Sequence, residues 1–339
     1  MFKWPIVLLF AAGSFTQQTA TAQDHSSFYS GRTITLVLGF EPGGGYDAYA
    51  RALARHMPNH LRGKPSIVIQ NMPGAGSLRA ANYLYNVAPR DGTVIGMFAS
   101  STAFEPLFGS DGAKFETAKF NWLGNMDESV GVCAVWHTSG IDTFDDLMEK
   151  KAVFGASGPA AVTSQHATAL RKLLGAKIQV VQGYSGAAEA KLAMARGEVN
   201  GACGMALSSL QSQHRAEVAS GQLKPIVQLG IQKHSDLAGV AHVYDYATSV
   251  EMRQIFDLVF GRHVIGRPLV APPGLPTERV TELRRAFDAT MKDPDFLEEA
   301  KRLKLYVTPS GGEGVEELFS RFFAYPKAVV EKAMAAMRE

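Results

Sequence analysis

The clearest chemical signature lies in Gly43, Gly44 and Gly45, which stand between the apolar run Ile34–Leu38 and a helical pattern of Tyr46, Ala50, Leu53 and Met57. A strand, a glycine turn and a helix in that order leave unpaired backbone N–H groups at the helix start. The helix dipole adds roughly half a positive charge there, which suits an anion. The same residues spell Gly43-x-Gly45-x-x-Ala48, the spacing of a dinucleotide fingerprint. That fingerprint needs an acidic residue at the end of the next strand to hold a ribose hydroxyl. The next strand closes instead in Gln70 and Asn71, so a nicotinamide site is disfavoured.

Gly183-x-Ser185-x-Ala187 approaches a nucleophile elbow but lacks its last glycine, which the crowded turn requires. A capping role suits Ser185 better. His166, at a helix start, reads as a packing or capping residue. Asp145-Asp146 and Glu298-Glu299 read as solvated helix faces. No His or carboxylate pair has the spacing of a metal site, and no cofactor is called for. What remains is rich in backbone donors and hydroxyls and poor in activated nucleophiles, which fits binding rather than catalysis.

A rigid framework must hold such a turn, and the chain supplies strand–turn–helix units repeatedly. Ser66–Gln70 reads as a strand, 71–77 as a turn and Leu78–Val87 as a helix with Ser77 as its N-cap. Thr93–Phe98 is a third strand ending in Ala99-Ser100-Ser101. Such units build a parallel sheet flanked by helices, with ligands beyond the carboxyl ends of its strands. Gly43–Tyr46, Asn71–Gly76 and Ser100–Ser101 should then share one edge.

A second lobe begins near Gly131, with a strand over Gly131–Val135 and a helical segment over Phe144–Lys151. There follow a strand (Ala152–Gly155), a loop of small residues and hydroxyls (Ala156–Gln165) and a helix (His166–Leu174). Ile178–Val181, Val199–Met205 and Pro225–Leu229 read as strands, and Ala187–Arg196 as a helix. In the tail, Val264–Ala271 is a strand, and Thr277 caps a helix over Glu278–Lys292. Pro294 opens another helix, Tyr306–Val307 is a short strand, and Val315–Met337 is helical.

A length of 339 residues accommodates two such lobes. The net charge of +2 is too small to argue for nucleic acid or an anionic membrane surface. Lys3, the apolar core Ile6–Phe15 and Ala20-Thr21-Ala22 predict a signal peptide over 1–22, cleaved before Gln23. The apolar core is too short for a stable membrane anchor, and no cysteine follows it for lipid attachment. The expectation is an exported, soluble, periplasmic protein. Cys133 and Cys203 have no spacing that requires a bridge, and both sit in apolar segments, so two buried free thiols are expected.

Several motifs, in order, are similar to a known family. They are FEPGGGYDAYARALA (Phe40–Ala54), IVIQNMPGAGS (Ile67–Ser77), APRDGTVIGM (Ala88–Met97), FGASG (Phe154–Gly158), GYSGAAEAKLAMARGEV (Gly183–Val199) and LVAPPGLPTERV (Leu269–Val280). The chain resembles the solute-binding proteins of tripartite tricarboxylate transporters, the Bug or TctC-like family, from Ile34 to about Lys332. The resemblance implies an α/β, periplasmic-binding-protein-like clamshell of type II, two α/β lobes joined by two crossing strands. The crossings would fall near Val130–Trp136 and Val264–Ala271. The first lobe would take 31–130 plus 268–339, and the second 131–267.

The resemblance also implies a monomeric receptor that delivers a small mono-, di- or tricarboxylate to a permease of large and small subunits. Ligand carboxylates would be held by Gly43, Gly44, Gly45 and Tyr46 in the first lobe. The second lobe would contribute the segment from Ser157 to Gln165, including Thr163 and Ser164, with Tyr184 facing the cleft. Ser100 and Ser101 join this set from the shared sheet edge. Two departures from the family pattern stand out. Tyr46 replaces a small residue or threonine and would narrow the pocket. Asn200 stands where aspartate is common; either a neutral amide near the cleft favours a carboxylate without an ammonium group, or Asn200 merely closes a turn before Gly201. An exported hydrolase using Ser185 or Ser157, or a receptor serving a sensor, are the alternative readings.

Overall fold

The computed structural model describes Met1 and residues 28–338, apart from 129, 159, 160, 185, 186 and 213. The expected signal peptide and Ser185 lie outside the described residues.

An apolar strand paired on both sides is the natural interior strand of a parallel sheet, and β1 (Thr33–Leu38) is such a strand. Helix α1 (Gly45–His56) follows it and buries Tyr49, Ala50, Ala52 and Leu53. β2 (Ser66–Asn71), α2 (Leu78–Asn86) and β3 (Val94–Met97) complete two more units. β1 pairs in parallel with both β2 and β3, in registers that align Leu38 with Asn71 and Met97. The three turns therefore do emerge at one edge. β4 (Asn121–Asn125) then extends the same sheet.

The chain next enters a second sheet through β5 (Gly131–Trp136). There follow α3 (Asp146–Glu149), β6 (Ala152–Gly155), α4 (Val162–Leu174), β7 (Ile178–Val181) and α5 (Ala187–Ala195). Helix α4 stops at Gly175, whose φ of +76° lets its N–H turn back to Arg171 O and Leu170 O. β8 (Gly201–Ala206), α6 (Leu207–Ser212), α7 (Arg215–Ala219), β9 (Leu223–Gln228), β10 (Ala241–His242) and α8 (Val250–Val259) finish this lobe. The return is β11 (Pro268–Ala271), followed by α9 (Thr277–Thr290), α10 (Pro294–Arg302), β12 (Ser310–Gly311), α11 (Gly312–Phe323) and α12 (Lys327–Met337).

The two sheets have the orders β12-β4-β11-β3-β1-β2 and β10-β9-β5-β8-β6-β7. In each, the strand that arrives from the other lobe is antiparallel and sits beside the third parallel strand. β5 and β11 each belong wholly to one sheet, so the crossings are the short segments just before them. There Met126 N–H donates to Arg267 O at 3.1 Å and Gly266 N–H to Asp127 O at 2.9 Å. Asn125, fully buried, clamps both segments: its Oδ1 accepts from Arg267 N–H at 2.8 Å and its Nδ2 donates to Asp127 O at 3.0 Å.

Several sequence expectations are corrected. Cys133 and Cys203 are fully buried but bridged, because β8 pairs beside β5 and brings their Cα atoms to 3.9 Å. Ser77 does not cap α2 with its hydroxyl; Oγ donates to Gly39 O at 3.0 Å. A Cβ on residue 39 would lie 2.7 Å from Ser77 Cβ, so glycine is needed for that approach. Thr277 is the first residue of α9, behind Pro276, and makes no cap bond. Tyr306–Val307 is not a strand; Tyr306 is held on both sides by the Tyr49 hydroxyl, and Ser310–Gly311 pairs with β4 instead.

The predicted final helix is two helices, separated at Pro326, whose ring cannot continue an α-helix. Helix α12 packs on α4 and α8. The assignment of 268–339 to the first lobe therefore fails for its last eleven helical residues.

Candidate functional site

The site starts at the carboxyl end of β1. Gly43 takes a φ of +86°, and the three glycines are exposed. Gly43 N–H does not point free into solvent: it donates to Asp47 Oδ2 at 2.9 Å. Asp47, only 4 % exposed, also receives Arg51 Nε at 2.7 Å and Asn71 Nδ2 at 3.4 Å. The Arg51 hydrogen bond, foremost, holds the Asp47 carboxyl below its usual range despite burial. One carboxylate of the protein thus closes the inner side of the turn. The N–H groups that begin α1 have no acceptor within the helix.

Tyr46 is half-buried and stacked on Phe40, with ring centroids 3.9 Å apart. The guanidinium of Arg267 lies 4.3 Å from the Tyr46 centroid and 5.0 Å from that of Tyr49. Tyr46 therefore packs against Phe40 and braces Arg267, and it is not among the residues lining the cavity beside it, so the narrowing expected from the sequence is not seen there. A cavity of about 490 Å³ opens here, lined by the glycine turn, Tyr49, Arg267 and Lys304 from one side and by Ser208 and Ser209 of α6 from the other. Lys304 also lines an adjoining cavity of about 500 Å³ with Arg215, Lys301 and Tyr306.

The second-lobe candidates gather beyond β6 and β7. Ser157 N–H donates to Thr163 Oγ1 at 3.0 Å, and Ser157 O accepts from Gly183 N–H at 3.1 Å. Tyr184 N–H donates to Ala156 O at 3.2 Å, and its ring covers Gly155, where a Cβ would lie 3.1 Å from it. Thr163, Ser164 and Gln165 belong to the first turn of α4, not to the preceding loop. Ser164 is 1 % exposed, and its hydroxyl has no hydrogen-bond partner among the described residues.

Gln165 Oε1 accepts from the buried Arg262 guanidinium. Burial pushes Arg262 down to about 10. His166 is packed edge-on to Phe260 at 5.3 Å, and burial pushes it down to about 3. It is a neutral packing residue, as its position in the sequence suggested. Ser100, 7 % exposed, and the half-buried Ser101 open a short turn after β3, at the same edge as the glycines.

Asn200 is not among these. Its Oδ1 accepts from Val153 N–H at 2.7 Å, at the amino ends of β6 and β8. The carboxyl ends of those strands, where Gly155 and Ala206 stand, are at the opposite edge of the sheet. The ligand preference drawn from Asn200 falls with its position.

Sequence reasoning missed Asp47, Arg267, Lys304, Ser208 and Ser209. Asp47 had a legible signal, an acidic residue in a first turn with arginine four residues on. The others carry no local pattern, because only the tertiary fold brings them to the glycine turn.

A sequence model described as the tripartite tricarboxylate transporter family receptor, TctC, matches residues 49–308. Among solved structures, the chain is similar to a TctC solute-binding protein from Polaromonas, with a TM-score of 0.71 and 20% identity, over 90% of this chain and 99% of that one. It is similar to Rpa4515 of R. palustris with adipate, with a TM-score of 0.63 and 18% identity, over 89% and 97% of the two chains. It is also similar to MatC (Rpa3494) from Rhodopseudomonas palustris with bound malate, with a TM-score of 0.57 and 19% identity, over 88% and 99%. At these identities the structural likeness speaks for the fold.

Proposed function

The chain belongs to the tripartite tricarboxylate transporter receptor family, and from that premise we propose that it captures a small carboxylate in the periplasm and delivers it to a permease of large and small membrane subunits. The observation that carries this reading is the cavity of about 490 Å³ at the glycine turn, walled by residues of both sheets' lobes. A ligand carboxylate accepts from the first N–H groups of α1, where the dipole is positive, and Ser208 and Ser209 meet it from the other side. The family relatives holding adipate and malate support a ligand of this size and charge.

Capture is a population shift. The lobes swing about the segments before β5 and β11, and a ligand that touches both favours the closed form by its differential contacts. Binding is therefore coupled to a shape that the permease recognises. The protein works as a monomer, without cofactor or turnover, after cleavage of its leader before Gln23. Among the described residues no helix is long and apolar enough to cross a membrane, and no group of three His, Cys, Asp or Glu side chains is placed to hold a metal.

The test is calorimetric titration of unfolded-and-refolded, ligand-free protein with mono-, di- and tricarboxylates, alongside mass spectrometry of what co-purifies. One equivalent of an unchanged acid is expected, with compaction in small-angle scattering. Failure of every acid to bind, or conversion of one of them, sinks the reading.

A further inference from the structure

The glycine turn supplies only neutral donors, yet a full positive charge stands directly over it. A Cβ on Gly45 would lie 3.7 Å from Arg267 Nη2. We propose that Arg267 is the charge-pairing residue of this site: the carboxylate seated on the glycine turn forms an ion pair with its guanidinium, which selects for an anion over an uncharged isostere. This rests on the carboxylate reading of the same cavity and adds to it the residue that sets its charge preference.

The backbone fixes the position. Arg267 N–H is held by Asn125 Oδ1 at 2.8 Å, and Arg267 O accepts from Met126 N–H at 3.1 Å. Pro268 then commits the chain to β11. The side chain is braced by the Tyr46 and Tyr49 rings at 4.3 and 5.0 Å, so the guanidinium does not have to be ordered when the ligand arrives.

Its hydrogen-bonding capacity is mostly unused. Arginine carries five N–H donors; Nη1 donates to Gly266 O at 2.7 Å, while Nε is buried with no partner among the described residues. Among the described residues no carboxylate forms an ion pair with it. The nearby Asp127 is 3 % exposed and accepts from Thr308 Oγ1 at 3.3 Å; burial pushes its carboxyl up, and the Arg267 charge opposes that shift. Asp47 is engaged by Arg51, Asn71 and Gly43. A half-buried cation beside a positive helix end is electrostatically incomplete, and an incoming carboxylate completes it with charge-assisted bonds. A role confined to tyrosine stacking would leave these donors without purpose.

The experiment compares wild type, Arg267→Gln and Arg267→Lys, each checked for folding by circular dichroism, in titrations with malate, adipate and the monoamide and diamide of adipate. Wild type should prefer a diacid to its diamide by at least about 30-fold, the scale of a desolvated charge pair. Arg267→Gln should lose affinity for the diacid by a similar factor, while Arg267→Lys keeps part of it. Diacid affinity within threefold of wild type in folded Arg267→Gln overturns the arginine assignment and leaves the receptor reading standing. Should the glutamine variant not fold, a wild-type preference for acid over amide below tenfold overturns it equally. Wild type that binds neither acids nor amides overturns the receptor reading itself, and the arginine assignment with it.

Discussion

Reduction of the Cys133–Cys203 bridge should destabilise the protein by about 4 kcal/mol. The bridge joins residues 70 apart in sequence, and closing a loop of that length removes roughly 15 cal/mol/K of entropy from the denatured chain, about 4 kcal/mol at 25 °C. The native state loses little besides the bond, because β5 and β8 stay paired through their ladder and both residues are fully buried. The loss therefore falls on the denatured side. Urea unfolding of the wild type with and without dithiothreitol measures it. With an m value of about 3 kcal/mol/M, the midpoint should fall by roughly 1 M, and m itself should rise as the reduced chain expands. If the lobes unfold separately, the shift belongs to the second. Two thiols reacting in denatured, unreduced protein, or a midpoint that reduction leaves in place, would refute the reasoning.

Three further outcomes follow from particular contacts. Gly44→Val should weaken carboxylate binding more than about tenfold, or 1.4 kcal/mol, in a protein that still folds. Residue 44 has a φ of −84°, and its Cβ would meet nothing nearer than 4.0 Å; wild-type affinity in calorimetry would move the ligand off this turn. Gly312→Ala should cost more stability than Gly96→Ala, although both Cβ atoms would come within 2.1 Å of a neighbour. The obstacle at 312 is the Trp122 carbonyl, whereas at 96 it is the tip of Leu84, which can rotate; equal thermal shifts would contradict this. His166 remains neutral in the fold because burial pushes it down to about 3, while the unfolded imidazole titrates near the ordinary 6.5. Its contribution is therefore fully present above pH 6.5 and is lost as pH falls toward 3, at up to about 1.4 kcal/mol per unit. Chemical denaturation between pH 6.5 and 5 should show a shallower slope for His166→Gln, and identical slopes would count against the assignment.

The architecture was legible because it is written in local signals. Apolar strands ended by glycine turns and followed by amphipathic helices fix the βα units, and β6 and β7 fall on the residues read as strands. β4 (Asn121–Asn125) escaped notice because Asn121 and Gly124 interrupt its apolar pattern, and its burial comes from β11 and α11. Side-chain roles were harder. Ser77 looks like a cap in sequence, but the gap beside Gly39 gives its hydroxyl a better acceptor. Asn200 reads in sequence as either a cleft residue or a turn former, and the direction of β8 puts it at the other end of the sheet. The glycine turn stands out in sequence as three consecutive glycines between a strand and a helix. Its closure by Asp47 and its proximity to Arg267 depend on contacts across four to more than two hundred residues, and only the first of these leaves a trace in spacing.

The docking of α12 on the second lobe makes the protein a ready strain gauge. Tyr29, 1 % exposed, is pinned to the first lobe by its hydroxyl bond to Gly92 O at 3.1 Å. Residues 327–337 ride on α4 and α8 instead, fastened by Lys172 Nζ to Ala335 O at 3.1 Å and by Lys332 to Glu251 at 2.6 Å. A donor fluorophore joined ahead of residue 28 and an acceptor joined after residue 338 would each move with a different lobe. Energy transfer between them would then report the angle between the lobes directly. Because neither label touches the cavity, the same fusion could be screened against acids that have no optical signal of their own.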